Sequence, residues 1–193
     1  MNKVRVGTIG LSYAHKKNFF GLDNERVQYC KTWDWISPFR FLMRIPLLKK
    51  LFGSPFLRNS HFSLFSPRID LFHFFNTISF SNKPWVCTFE TFLPRWGLDR
   101  KGLERIVSDS CIGIVAMSSC AKNIMLTKVR EEFEEYYLKV FNKLSVIHPS
   151  QTQLVNSWED KGITLNGQFT FILVGNDFFR KGGKEVLEVF SEL

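Results

Sequence analysis

The stretch VRVGTIGL, residues 4–11, is a short apolar run that ends in glycine and leads into a polar segment. This pattern is typical of a buried first strand of a parallel sheet and of the loop that follows it. Helical patterns lie between several similar runs, so the sequence predicts an α/β fold with a Rossmann-like, doubly wound parallel sheet. The further predicted strands are IDLFHFF (69–75), PWVCTF (84–89), CIGIVAM (111–117), LSVIH (144–148) and FTFILVG (169–175).

Three segments between these runs have the spacing of helices. The clearest is TKVREEFEEYYLKVFNKL (127–144), where apolar residues recur every three or four positions, and we expect one continuous helix that covers a face of the sheet. LDRKGLERIVSDS (98–110) is a second helix. A third is expected over residues 120–128, with Ser118 or Ser119 as its cap.

Residues 148–168 are polar, have no clean period and separate two of the predicted strands. Such a stretch indicates a connection between domains. We therefore expect a first domain over residues 1–150, a linker over 151–166 and a second domain that begins at 167. One strand and one helix cannot bury a core, so residues 167–193 are predicted to be the first βα unit of an incomplete domain.

The chain combines a net charge of +8 with 21 Phe and 5 Trp in 193 residues, and its positive charge is concentrated in residues 1–128. A basic, aromatic surface suits anionic headgroups, phosphorylated substrates or nucleic acid, and net charge does not choose among them. The sequence has no RNP, KH or helix-turn-helix signature. Nucleic acid is therefore not an expected partner.

The four cysteines show no CxxC or CxxH spacing, so the sequence predicts no metal site. Cys87 and Cys111 fall within or beside apolar runs, where a buried thiol is the ordinary role. No signal-peptide pattern and no uninterrupted apolar run close to the length of a membrane span is visible. We therefore expect a cytoplasmic location.

The segment ISPFRFLMRIPLLKKLFGSPFLRN (36–59) interleaves cations with apolar residues and has no acid. This is the chemistry of an element on a membrane surface, where cations meet anionic headgroups and apolar side chains enter the headgroup boundary. Its prolines exclude one long helix. The alternative is an irregular element packed on the sheet. The predicted membrane-contact residues are Arg40, Arg44, Lys49, Lys50 and Arg58.

The stretch VGNDFFRKGGKEVLEVF (174–190) predicts a strand end, a short loop and a helix. The first turn of a helix offers free N–H groups and a positive dipole end, and Arg180, Lys181 and Gly182 stand directly before it. This combination suits a diphosphate, because glycine lets the backbone approach while the cations neutralise charge. A glycine-rich turn with a solvated Lys also occurs without any ligand, so spacing alone leaves both alternatives open.

Taken together, these segments resemble retaining glycosyltransferases of the GT-B fold, family 4 type. FTFILVGNDFFRKGGKEVLEVF (169–190) resembles the strand, glycine-rich turn and helix that open their C-terminal domain. CIGIVAMSSCAKNIML (111–126) and LSVIHPS (144–150) resemble the segments before their interdomain linker. IDLFHFFN (69–76) and PWVCTFETFLPR (84–95) resemble the D-x-x-H and P-x-x-x-x-x-E strand ends of their N-terminal domain.

The resemblance implies an enzyme that transfers a sugar from a nucleotide-sugar donor to a glycan or lipid-linked acceptor in cell-envelope polysaccharide synthesis, without a cofactor. Lys181 matches the family's diphosphate-contacting Lys. Asn176 stands where the family often has a basic residue, which leaves Arg180 as a substitute. The family's E-x7-E element is not in this sequence. We therefore expect an N-terminal fragment that is inactive without the rest of its C-terminal domain.

The resemblance also places His73 near the acceptor and the donor sugar, as the catalytic residue, at the carboxyl edge of a parallel strand. The alternative is a His that is hydrogen-bonded within the strand-end packing. Glu90 could bind acceptor hydroxyls and Arg95 a phosphate, with a salt-bridged loop as the alternative. In this family the first strand's loop lines the same cleft, and here it contains Ser12, His15 and Lys16.

Two other functions stay open at this point, a membrane-surface binding module without catalysis and a decayed enzyme. An unrelated nucleotide-binding enzyme has less support, because neither G-x-G-x-x-G nor G-x4-G-K-[ST] follows the first strand. A lipid-linked acceptor would place the protein on the inner face of the plasma membrane.

Overall fold

A computed structural model describes residues 3–9, 25–42, 45, 54–63, 66, 68–149, 156–157, 171–174 and 177–192 of the chain. The chain divides into two compact units, Met1–Thr152 and Gln153–Leu193. Except for residues 156 and 157, the predicted linker over 151–166 lies outside the described residues. Among the described residues, no helix has both the length and the apolar character needed to cross a membrane.

A parallel sheet of six strands forms the centre of the first unit. In chain order the strands in the described part of this unit are β1 (Val4–Thr8), β2 (Val27–Lys31), β3 (Ser60–His61), β4 (Leu71–Phe75), β5 (Ile78–Ser79), β6 (Trp85–Phe89), β7 (Cys111–Ala116) and β8 (Leu144–Val146). The large sheet has the order β2-β1-β4-β6-β7-β8, and β3 pairs with β5 in a small parallel sheet.

Helices flank the large sheet, so the first unit is an α/β domain consistent with a Rossmann-like fold. They are α1 (Ser37–Leu42), α2 (Pro55–Arg58), α3 (Arg100–Val107), α4 (Ser119–Glu132) and α5 (Tyr137–Lys143). Side-chain caps fix the starts of α2, α3 and α4. Ser54 accepts a 3.2 Å hydrogen bond from the Phe56 N–H at α2. Asp99 accepts a 2.7 Å hydrogen bond from the Gly102 N–H at α3, and Ser118 accepts one of 3.1 Å from the Ala121 N–H at α4.

The core lies on one face of the sheet, because alternate strand residues point to the same side. Phe72 and Phe74 of β4 and Trp85 of β6 are fully buried there. The covering helices contribute the buried side chains Leu103, Ile106, Met125, Val129 and Val140. On the opposite face the intervening side chains of β4 are only half-buried.

The prediction of one continuous helix over residues 127–144 is wrong. The first helix, α4, ends at Glu132, because Phe133 adopts non-helical dihedral angles of φ −150° and ψ 59°. A 3₁₀ turn over Glu134–Tyr136 follows, and then α5. Four of the five residues 131–135 are Glu, and like charges three and four positions apart destabilise a helix. The break also lets the buried Tyr136 accept a 3.1 Å hydrogen bond from Arg100.

The predicted and observed strands also differ. The edge strand β2 was not predicted, because VQYCK is short and mixes polar with apolar residues, and the two-residue strands β3 and β5 are too short to leave a pattern. Conversely, residues 171–174 of the predicted strand FTFILVG form no strand, and all four are exposed. No strand pairs with them within the described part of the second unit, and an apolar run without backbone partners is not held extended.

A buried ion pair ties the segment after β2 to the small sheet. The fully buried Asp34 carboxylate accepts from the Arg40 guanidinium and from the backbone N–H groups of Ile36 and Phe62, at 3.2 and 3.1 Å. Arg40 also donates to the carbonyls of Leu57 and Ser60, at 3.2 and 2.6 Å. The guanidinium of this predicted membrane-contact residue is therefore bound within the protein.

His61 lies next to this ion pair and is fully buried, with Nδ1 3.1 Å from the Ser79 hydroxyl. Its pKa is lowered from 6.5 to about 4, chiefly because the ring is buried; Asp34 opposes this shift and Arg40 adds to it. The folded protein therefore holds a neutral imidazole at physiological pH.

We predict that this imidazole makes the protein less stable in mild acid. Because the folded-state pKa lies below the unfolded value, the unfolded chain binds the additional proton, and stability falls as pH drops from 6.5 towards about 4. The contribution between about pH 7 and about pH 5 is on the order of 2 kcal/mol. Urea unfolding at both pH values should show this loss, and His61→Gln should reduce it. An unchanged loss in the variant would contradict the assignment.

Gly7 of β1 gives a second stability prediction. A Cβ at this position would lie 2.5 Å from the Thr32 side chain, 2.8 Å from Phe72 and 2.9 Å from Ile69. Gly7→Ala should therefore lower the free energy of unfolding by about 1–3 kcal/mol. The control is Gly113→Ala in β7, whose Cβ would approach nothing closer than the Lys143 carbonyl oxygen at 3.4 Å. Equal losses in the two variants would contradict the packing argument.

Candidate functional site

The carboxyl ends of β1 and β4 form a topological switch point. The chain passes from β1 to β2 on one side and later returns to β4 on the other side of β1. In open α/β sheets, ligands bind in the crevice outside the carboxyl ends at such a point. Thr8 is the last residue of β1, and its buried hydroxyl has no hydrogen-bond partner among the described residues.

His73 lies in the middle of β4, opposite Val86, whereas the resemblance places it at the carboxyl edge of the strand. The ring is half-buried, with Nδ1 3.2 Å from the Tyr29 hydroxyl and Nε2 2.9 Å from the Thr88 hydroxyl. A neutral imidazole can make both bonds, since each hydroxyl can either donate or accept. This geometry matches the alternative of a His that is hydrogen-bonded within the strand packing.

Asn76 and Glu90 join the ends of β4 and β6 by two reciprocal hydrogen bonds. The Asn76 amide donates to the Glu90 carboxylate at 3.3 Å, and its carbonyl oxygen accepts from the Glu90 N–H at 3.2 Å. Asn76 has φ 54°, a left-handed conformation that Asn tolerates better than most residues. The bend after β4 thus aims an amide at a carboxylate on the neighbouring strand.

Arg95 completes this edge. One of its guanidinium nitrogens lies 4.0 Å from the Glu90 carboxylate, and another donates to the Thr91 hydroxyl. Both charged side chains are partly exposed, at 31% for Arg95 and 49% for Glu90. An exposed ion pair contributes only about 0–1 kcal/mol, so either group can exchange its partner for a ligand at little cost.

These residues define the carboxyl-edge cluster: His73, Asn76, Glu90 and Arg95. The structure brings Glu90 and Arg95 together, as the salt-bridged alternative predicted. Asn76 was missed, although an Asn directly after a strand is a known signal for left-handed backbone. Tyr29 and Thr88 were missed because a contact between distant strands leaves no local pattern.

In the second unit, the predicted diphosphate turn precedes the helix α6 (Gly183–Ser191). Arg180 pairs with Asp177 at 3.1 Å, whereas Lys181 is exposed. Gly182 adopts φ 79° at the N-cap, and no side chain among residues 177–192 caps the helix there. A Cβ on Gly183 would lie 2.4 Å from the Phe178 ring, so this turn requires glycine at both positions.

Six of the remaining predicted site residues lie outside the described residues: Ser12, His15, Lys16, Arg44, Lys49 and Lys50. Arg58 is exposed at the end of α2. Three aromatic side chains in or just before α1 are exposed: 51% of the surface of Trp35, 44% of that of Phe39 and 64% of that of Phe41.

The cysteines and the acidic residues show no metal chemistry in the described ranges. None of the groups of three or more His, Cys, Asp or Glu in those ranges could hold a metal ion. All four thiols are free, and burial raises the pKa of Cys87 and, to about 11, that of Cys111. These two thiols are therefore protonated and unreactive at neutral pH.

The geometry defines an α/β protein with a parallel sheet and a polar carboxyl edge. No protein-family model, no curated protein and no solved structure matches the chain.

Two variants separate the backbone role of Asn76 from its side-chain role. Both variants remove the hydrogen bonds to Glu90. Asn76→Gly adopts the left-handed conformation without strain, whereas Asn76→Ala keeps a Cβ there and lacks the short polar side chain that lets Asn tolerate it. Both should unfold at lower urea concentration than the parent, and the Ala variant should be less stable than the Gly variant by about 1 kcal/mol. An Ala variant as stable as the Gly variant would contradict this.

Proposed function

We propose that the first unit is the acceptor-side domain of a retaining glycosyltransferase of the GT-B type, and that the second unit begins the donor-binding domain. The observation that carries the proposal is the carboxyl-edge cluster, which lies where β4 and β6 end, next to the switch point of a Rossmann-like parallel sheet. Polar side chains from two neighbouring strands meet where such sheets bind ligands. The family resemblance of the sequence supplies the reaction.

In this proposal the edge cluster binds the acceptor. The Glu90 carboxylate can accept hydrogen bonds from sugar hydroxyls, and the Asn76 amide fixes its position. Arg95 can bind a phosphate of a lipid-linked acceptor, because a guanidinium forms paired hydrogen bonds to phosphate oxygens. Tyr29 and Thr88 hydrogen-bond both nitrogens of the His73 imidazole. In this proposal the ring therefore has a positioning role.

The turn before α6 would hold the donor diphosphate. Lys181 supplies a positive charge, and the uncapped first turn of α6 supplies N–H groups and the positive dipole end. The ion pair between Arg180 and Asp177 is exposed, so Arg180 can exchange its carboxylate for a phosphate. As the sugar is transferred, the leaving diphosphate accepts the acceptor's proton, and stabilising this charge is the protein's main contribution.

Donor binding tests the proposal directly. We expect calorimetric titration of the full chain with UDP-, GDP- and ADP-sugars to detect binding of at least one of them. Lys181→Ala should weaken it about tenfold or more, because it removes a charge-assisted hydrogen bond. The matched control is Lys184→Ala, which removes a second exposed cation, one that lies within α6 and is paired with Glu188 at 3.3 Å. No binding, or equal weakening by the control, would contradict the donor site.

A membrane-surface module is the second function with an observation in its favour. Trp35, Phe39 and Phe41 are exposed in or just before α1, and Arg58 is exposed at the end of α2. Exposed aromatic rings suit the headgroup boundary of a bilayer and an exposed Arg suits its anionic headgroups, at the inner face of the plasma membrane in a cytoplasmic protein. The enzyme could use the same surface to reach a lipid-linked acceptor.

Vesicle binding tests the membrane-surface role, and its comparison with nucleotide-sugar binding separates this role from the enzyme. We expect the full chain to sediment with vesicles containing phosphatidylglycerol, and less so at high salt. Phe41→Ser should reduce this binding, whereas Leu138→Ser, an equally exposed apolar residue on α5, should not. Vesicle binding without any binding of nucleotide sugars would favour the module over the enzyme.

A further inference from the structure

A cavity of about 440 Å³ opens on the first unit at the edge of the sheet formed by β1 and β2. Arg5 of β1 pairs with Gln28 of β2, so both side chains point to the same face, and Cys30 follows on that face two positions later. Ser66, Arg68 and Ile69, from the segment before β4, close another side. The volume lies within the range of small-molecule sites.

The charged residues that line this cavity are all basic. Arg5 and Arg68 line it and are exposed, and none of its described lining residues is acidic. Lys31 also lines it, but its position in β2 turns its side chain to the face of Tyr29. The carboxylate of Asp70, next to Ile69, accepts a 2.8 Å hydrogen bond from the Arg5 backbone N–H and is not among the lining residues. Two arginines at one concave surface favour an anion, and the guanidinium group in particular favours phosphate.

An aromatic ring stands at the same cavity. Trp33 follows β2, lines the cavity and has 65% of its surface exposed. A large exposed indole next to half-buried Cys30 and buried Ile69 offers an apolar surface on which a flat or pyranose ring can pack. We propose that this cavity binds a small organic phosphate, that is, a sugar phosphate or a nucleotide whose phosphate meets the cations and whose ring packs on Trp33.

This site is separate from the carboxyl-edge cluster. Successive residues of β2 point to opposite faces, so Cys30 lies on the face away from Tyr29, which contacts His73. Gly7, on the Cys30 side, pairs with the core residue Phe72. The cavity is therefore on the core face of the sheet, and its ligand does not depend on the proposed glycosyl transfer.

The thiol of Cys30 gives a direct readout of occupancy. We would measure the rate at which N-ethylmaleimide alkylates Cys30 in the full chain by peptide mass spectrometry, with exposed Cys120 on α4 as an internal control. Glucose 1-phosphate and UMP are the two probes, and glucose, uridine and inorganic phosphate are the controls. We expect one of the two organic phosphates to slow alkylation of Cys30 saturably, by about tenfold at ten times its dissociation constant, and to leave Cys120 unchanged.

Charge variants complete the test. Arg5→Gln and Arg68→Gln each remove one exposed cation of the cavity and should weaken the protection of Cys30, whereas Lys139→Gln, an exposed cation of α5, should not. Far-ultraviolet circular dichroism would verify that each variant is folded. The proposal is overturned if neither organic phosphate protects Cys30, if inorganic phosphate protects it equally well, or if folded Arg5→Gln and Arg68→Gln keep full protection.

Discussion

The parallel pairing of β4 with β6 is the constraint on which the first unit depends. Its register sets Phe72 against Trp85, and both are fully buried on one face. Because successive side chains alternate, the same register puts His73 on the opposite face and brings Asn76 next to Glu90 where the two strands end. A slip of one residue would turn the core side chains outward and separate this pair.

Core and candidate site are thus two consequences of one register. Helices α3, α4 and α5 pack on the core face of the sheet. At the carboxyl edge, the exposed ion pair is weak enough for its groups to bind a ligand instead of each other. The fully buried Asp34, in contrast, is bound by Arg40 and two backbone N–H groups, and removing a partner would leave a buried charge. Structural and exchangeable ion pairs in this protein are therefore distinguished by burial.

The sequence predicts most of the central sheet, because apolar runs such as IDLFHFF and CIGIVAM are typical of buried parallel strands. It misses what depends on distant partners. Arg40 stands in a basic run that resembles a membrane surface, and only the folded chain brings Asp34 and the Ser60 carbonyl to it. The reciprocal bonds between Asn76 and Glu90 likewise join residues that fall on separate strands.

Amide hydrogen exchange of the full chain, measured with its tightest-binding nucleotide sugar and separately with a lipid-linked sugar acceptor, tests the central claim most directly. We predict that the nucleotide sugar slows exchange in the turn before α6 and that the acceptor slows exchange in residues 73–77 and 88–96, where β4 and β6 end. Unchanged exchange at both strand ends in a chain saturated with the acceptor would contradict the claim that the carboxyl-edge cluster binds the acceptor.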